Sequence, residues 1–158
     1  MGIEIERKFL VDKEKWDQVT KEKQSLYRQG YMVSDPEKTI RVRLTDKEAF
    51  LTIKGLTVGA SRQEFEYPIP VYEAQQLLDG FCDTVVSKIR YFIHHDNKLW
   101  EVDEFLGDNE GLMVAEIELE SEDEAFSLPD WVGKEVTSEK KYSNSNLAKK
   151  PYKSWGKE

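Results

Sequence analysis

Cysteine is almost absent from this chain. Cys82 is the only one in 158 residues, so no internal disulfide can form and no cysteine-built metal site can be assembled. A reducing compartment suits such a chain. Histidine is nearly as scarce, and His94 and His95 are sequence neighbours. In a strand they point to opposite faces, which argues against a metal shared between them. No apolar run approaches the ~18 residues of a membrane-spanning helix. Charge begins at Glu4, which leaves no apolar leader; the expectation is a cytoplasmic chain with no membrane segment. Positive charge is in deficit: 23 Lys and Arg stand against 31 Asp and Glu, a formal net charge of −8. That balance argues against general binding to nucleic acid or an anionic membrane. An anionic ligand must therefore meet a local basic cluster. Without a linker or low-complexity tract, residues 1–158 are expected to form a single domain.

What is present is bulk and alternation. Hydrophobic residues make up 39% of the chain, with seven Phe, seven Tyr and four Trp to fill a core. The opening stretch MGIEIERKFLV places Glu4, Glu6 and Lys8 on one strand face, neighbours roughly 7 Å apart, and Ile3, Ile5 and Phe9 on the other. The design recurs. LYRQGYMV aligns Tyr27, Gln29 and Tyr31, and TIRVRL aligns Arg41 with Arg43. FLTIKG pairs Thr52 with Lys54, and SRQEFEYPI aligns Arg62, Glu64 and Glu66. VVSKIRYFI then aligns Lys88 with Arg90, LWEVDEF aligns Glu101 with Asp103, and MVAEIELE aligns Glu116, Glu118 and Glu120. Eight strands joined by short turns predict an antiparallel meander, enough to close a barrel. Helices are expected over Lys13–Lys23, over VYEAQQLLDGF, over Ser121–Phe126 and at the end of EVTSEKKYSNSNLA.

Two structures fit this pattern. In one, the charged face of an open sheet meets water and its ions form weak cross-strand pairs. In the other, it curls inward and lines a tunnel. Like charges are grouped within single strands, as in Arg41 with Arg43, Lys88 with Arg90, and Glu116 with Glu118. At about 7 Å and an effective dielectric near 20, each such pair repels by roughly 2 kcal/mol before screening. Counter-charges across a barrel, or a ligand, would offset that. A basic wall facing an acidic wall suits a polyanion bridged by hard cations.

Glu4-Ile5-Glu6-Arg7-Lys8 resembles the ExExK signature of the CYTH superfamily, the triphosphate tunnel metalloenzymes. Arg41-Val42-Arg43, Thr52-Ile53-Lys54, Lys88-Ile89-Arg90 and Glu116-Ile117-Glu118 follow in the order expected there. The resemblance implies a mainly β (α+β) fold: an eight-stranded antiparallel closed barrel holding a triphosphate, with a few peripheral helices. It implies phosphate ligands at Lys8, Arg41, Arg43, Lys54, Arg62 and Arg90. It implies Mg²⁺ or Mn²⁺ held by Glu4, Glu6, Asp103, Glu116 and Glu118, with Glu101 beside Asp103 at a second metal or its water. Glu64 and Glu66 are implied as metal ligands or as partners of the basic residues. Similarity of RQGYM and VSKIRY to small bacterial members implies a catalytic Lys88 oriented by Tyr31, and hydrolysis of inorganic triphosphate. The same resemblance admits adenylate cyclase, thiamine or nucleoside triphosphatase, with Trp100 and Trp131 as candidate aromatic platforms, and a non-catalytic polyphosphate-binding module. The expected partner is a small triphosphate, and the expected state is monomer or homodimer.

Overall fold

Alternating strands with one apolar and one charged face have two ways to hide the apolar one, and this chain hides it outside. A computed structural model describes residues 2–155. Nine strands form one antiparallel sheet: β1 (Gly2–Val11), β2 (Lys23–Asp35), β3 (Lys38–Leu44), β4 (Ala49–Gly55), β5 (Ser61–Ile69), β6 (Val85–His95), β7 (Lys98–Phe105), β8 (Met113–Glu118) and β9 (Val132–Glu135). Their order is β5-β4-β3-β2-β6-β7-β8-β1, and β1 also pairs with β5, closing a ring of eight. The closed antiparallel barrel with peripheral helices is the fold expected from the sequence. Closure removes the free edges that make open sheets prone to association.

The ninth strand was not expected, and the register explains it. β5 pairs with β1 only along Gly2–Ile5, so the same edge of β1 beyond Glu6 lacks a partner. β9 takes it, pairing Phe9 with Glu135 and Val11 with Val132. Backbone groups that would otherwise be orphaned are satisfied there.

The larger core lies outside the barrel wall. Phe9, Ile93, Trp100, Val102, Ala115 and Ile117 point outward from β1, β6, β7 and β8 and pack with Trp16, Leu119 and Trp131. Trp100 is fully buried, with ring centroids 5.6 Å from Phe9, 6.0 Å from Phe126 and 5.8 Å from Trp131. On the far side α2 (Val71–Phe81) lays Ala74 and Leu78 on Val42, Leu44 and Ala49. Its end comes so close to β2 that a Cβ on Gly30 would stand 2.7 Å from the Cβ of Cys82. A third cluster sits inside one end of the barrel: Val86, Phe105 and Val114, inward-facing residues of β6, β7 and β8, receive Leu147 of α3 (Asn144–Lys149).

Two expected helices fall short. α1 covers Lys13–Trp16 alone rather than running to Lys23. After Trp16 the amides of Gln18 and Val19 bond three residues back, and the Lys21 ammonium donates to the carbonyls of Trp16 and Val19, which ends the helix. Residues 121–126 form a turn instead of a helix. The Glu124 carboxylate bends back to the Glu120 amide and pairs with Lys98, while Phe126 enters the aromatic core. Tertiary contacts override the weak helical preference of so short a segment. Among the described residues no helix is long and apolar enough to cross a membrane.

Since the outer aromatic cluster holds the wall together, Trp100→Ala is expected to cost about 3–5 kcal/mol, read as a lowered urea midpoint with the barrel's far-ultraviolet signal retained in the absence of denaturant.

Candidate active site

Inward-facing residues of the eight ring strands converge on a polar cavity of about 200 Å³ lined by charged side chains from β1, β3, β4, β5, β6, β7 and β8. Strand register sets the pattern. β3, carrying Arg41 and Arg43, lies four places from β8, carrying Glu116 and Glu118, whichever way the ring is counted. The basic wall therefore faces the acidic wall across the diameter. On the acidic side Glu6 lies directly across from Glu118, and Lys8 across from Glu116. Glu4 lies across from Arg62, and Lys54 from Glu64.

Most of these ions have partners. Lys54 Nζ is 3.0 Å from Glu4 Oε1, and Arg62 Nε is 3.6 Å from the same oxygen. Burial alone would raise the Glu4 pKa, but Lys54, with Arg62 and Arg41, holds it down to about 2. Lys8 lies 3.8 Å from Glu6 and 3.9 Å from Glu116. Arg90 grips Asp103 through both Nε (2.8 Å) and Nη2 (2.9 Å) and touches Glu101 at 3.2 Å. Arg41 reaches Thr52 Oγ1 at 3.2 Å, and that hydroxyl donates to Glu66 at 3.1 Å.

The exceptions are informative. Among the described residues Arg43 is the one basic residue lining the cavity with no carboxylate within ion-pair distance. Its Nε donates to Gln29 Oε1 at 3.0 Å, and its guanidinium lies 4.9 Å from the Tyr27 ring centroid, with Arg90 5.1 Å from the same ring. Burial, then Arg41 and Arg90, lower its pKa to about 10. The Arg41 Nε is buried without a hydrogen-bond acceptor. Opposite them, Glu6 has only the 3.8 Å approach of Lys8. Burial, then Glu116 and Glu4, push it up to about 8. Glu118 is raised too, by burial and by Glu4, Glu101 and Glu64. One wall thus holds a cation with no counter-charge from the protein, and the other holds carboxylates too crowded for all of them to ionise easily.

Sequence-derived positions divide accordingly. Glu4, Glu6, Lys8, Tyr31, Arg41, Arg43, Lys54, Arg62, Arg90, Glu116 and Glu118 all line the cavity. Lys88 and Asp103 stand behind it, both fully buried. Asp103 gives both oxygens to Arg90 and Lys88, which pull its pKa well below the usual carboxylate range despite burial. The Lys88 ammonium bonds Asp103 Oδ2 at 2.7 Å and Asn144 Oδ1 at 3.0 Å. The expected orientation of Lys88 by the Tyr31 hydroxyl gives way to these two contacts; that hydroxyl instead accepts from Gln29 Nε2 at 3.3 Å. The physical reason is register: β2 places Tyr27, not Tyr31, opposite Lys88. Ser143, Asn144 and Ser145 also line the cavity, a contribution that sequence alone did not mark because a short polar helix carries no alternation. Trp100 and Trp131 are buried in the outer core, away from the tunnel.

The CYTH domain family model matches residues 2–152. The chain belongs to the CYTH family. It is 49% identical over 156 residues to the inorganic triphosphatase of Acetivibrio thermocellus, spanning 98% of this chain and 99% of that one. It is 40% identical over 154 residues to the inorganic triphosphatase of Nitrosomonas europaea, spanning 92% and 96%. A solved inorganic triphosphatase structure superposes with a TM-score of 0.63 at 35% identity, covering 92% of this chain and 93% of that chain. CYTH membership agrees with the order of motifs around this ring.

The raised Glu6 pKa has a stability consequence. Between about 4.5 and 8 the folded chain holds a proton on Glu6 that the unfolded chain releases, so its stabilising contribution is present below pH 4.5 and is lost as pH rises through 8. Metal-free Glu6→Gln is expected to melt above wild type at pH 8 and to converge with it near pH 5, measured by thermal denaturation in EDTA.

Proposed function

We propose that this chain hydrolyses inorganic triphosphate to pyrophosphate and phosphate inside the barrel. The observation that carries the reading is the pair of unmatched walls: Arg43, with the orphaned Arg41 Nε, across from Glu6 and Glu118. Neither wall is satisfied by the protein, and a polyanion carrying a divalent cation satisfies both. The full-length likeness to two inorganic triphosphatases supports the same substrate.

A divalent metal fits the acidic wall. Among the described residues no three acidic, histidine or cysteine side chains already converge as a formed cage, but Glu6 and Glu118 are directly opposed with only Lys8, 3.8 Å from Glu6, as a cation beside them, and Glu4 lines the same cavity. These hard oxygen donors, with Glu116, would hold Mg²⁺ or Mn²⁺. Bound there, the metal would supply charge neutralisation and polarisation of phosphate oxygens.

The chain's own residues do the rest. Arg43 and Arg41 grip phosphate oxygens, with Lys8, Lys54, Arg62 and Arg90 adding charge around the cavity. Their fixed positions hold the terminal phosphoryl in line with a water and stabilise charge developing on the bridging oxygen as the P–O bond breaks. Asp103 acts by holding Arg90 and Lys88 in place. Burial, with Arg90 and Arg43, brings the Lys88 pKa down to about 7 although Asp103 opposes it. Near neutrality much of Lys88 is therefore the free amine, and from behind the cavity wall it would accept the attacking water's proton through one intervening water. Tyr31 lines the same cavity and would serve there as a substrate contact.

Phosphate release from inorganic triphosphate should require Mg²⁺ or Mn²⁺ and exceed release from ATP; equal rates, or full activity in EDTA, overturn the reading. Activity should climb as pH rises through about 7, as the Lys88 ammonium deprotonates. Lys88→Arg is expected to lower kcat by roughly two to four orders of magnitude, because guanidinium stays protonated; a variant of near wild-type kcat removes Lys88 from the base role. Arg43→Ala is expected to raise KM about tenfold or more, the loss of one charge-assisted hydrogen bond.

A further inference from the structure

The C-terminal segment reaches the catalytic lysine through one side chain. Asn144 opens α3, where the Ser143 hydroxyl accepts from the Asn146 amide at 3.3 Å and starts the turn. Three residues on, Leu147 shares its helix face and is fully buried against the inward-facing residues of β6, β7 and β8. The Thr84 hydroxyl donates to the Ala148 carbonyl at 3.1 Å, and the Lys149 ammonium to the Ser34 carbonyl. These anchors fix where Asn144 points. Its Oδ1 lies 3.0 Å from Lys88 Nζ and accepts a hydrogen bond from it.

We propose that Asn144 is a positioning residue for triphosphate hydrolysis: from the first turn of α3 it clamps the Lys88 amine against Asp103, so that the docked C-terminal segment aims the base. The geometry is restrictive. Asp103 Oδ2 at 2.7 Å and Asn144 Oδ1 at 3.0 Å take two of the three tetrahedral positions on the nitrogen. With both positions taken, one direction on the nitrogen remains open. With Asp103 alone the nitrogen would rotate about its Cε–Nζ bond, and catalysis by a positioned group depends on alignment. Asn144 also lines the cavity, whereas Lys88 and Asp103 do not. It therefore spans the step between the buried ion pair and the substrate chamber. The proposal rests on Lys88 acting as the base.

The test is a double-mutant cycle on the whole chain, with wild type, Lys88→Ala, Asn144→Leu and the double variant assayed on inorganic triphosphate. Asn144→Leu is expected to lower kcat about tenfold to a hundredfold with KM within about twofold. In the double variant kcat should stay within about threefold of Lys88→Ala alone, because once the amine is gone Asn144 has nothing to aim. A merely structural role would give a loss in the double variant that multiplies the two single losses, and that result overturns the proposal. So does a rise in KM with kcat unchanged, which would make Asn144 a plain substrate contact. Thermal melts report folding, and Asn144→Ala replaces Asn144→Leu in the same cycle if leucine disrupts the plug. Wild-type kcat in Lys88→Ala itself removes the base and the proposal together. A full loss in Lys88→Ala with multiplying losses in the double removes Asn144 alone.

Discussion

Closing a strand-alternating sheet with its charged face inward forces like charges together at short range, and everything else about this barrel follows from how those charges are compensated. In the crowded interior the repulsion between neighbouring ions cannot be relaxed by swinging side chains out into bulk water. The structure compensates most of it with opposite walls and cross-strand partners, as at Lys54 with Glu4 and Arg90 with Asp103. What it leaves without a counter-charge is sorted by side: Arg43 on one wall, and on the other Glu6 and Glu118, whose burial and crowding favour their protonated forms.

The same constraint explains why the hydrophobic core lies mostly outside. A barrel interior given over to ions cannot supply apolar burial, so the outward faces of the strands must find cover. α2 covers β2, β3 and β4, and the aromatic cluster around Trp100 and Trp131 covers β1, β6, β7 and β8. Only at one end does apolar packing enter the barrel, where Leu147 meets Val86, Phe105 and Val114. That plug gives the floor of the tunnel a dry boundary, and burial against it lowers the Lys88 pKa more than any neighbouring charge does. Stability and chemistry meet at the same few residues.

Ion pairing inside the tunnel also separates residues of the same type into different work. Of the carboxylates, Asp103 is fully committed to Arg90 and Lys88, whereas Glu6 and Glu118 face each other across β1 and β8 with little compensation. The first fixes the side chains of Arg90 and Lys88; the second pair is left without such partners. Of the arginines, Arg90 is locked and Arg43 is free of carboxylates. Composition treats these residues alike, and their neighbours distinguish them.

Alternation with period two is a local property, and by itself it determined the eight ring strands and which charged side chains share a face on each of them. The ordered motifs extended that to the fold and the ligand class. What tertiary structure decided was everything set by contacts distant in sequence. Ring closure placed β3 diametrically across from β8. Register put Tyr27 rather than Tyr31 opposite Lys88 and drew Asp103 behind the wall. The short pairing of β5 along β1 created the need for β9, and docking of Leu147 brought Asn144 to Lys88. Short-range pattern specifies which way a side chain points from its own strand; only the closed barrel specifies what stands across from it, and ion pairing at these distances is decided by that neighbour.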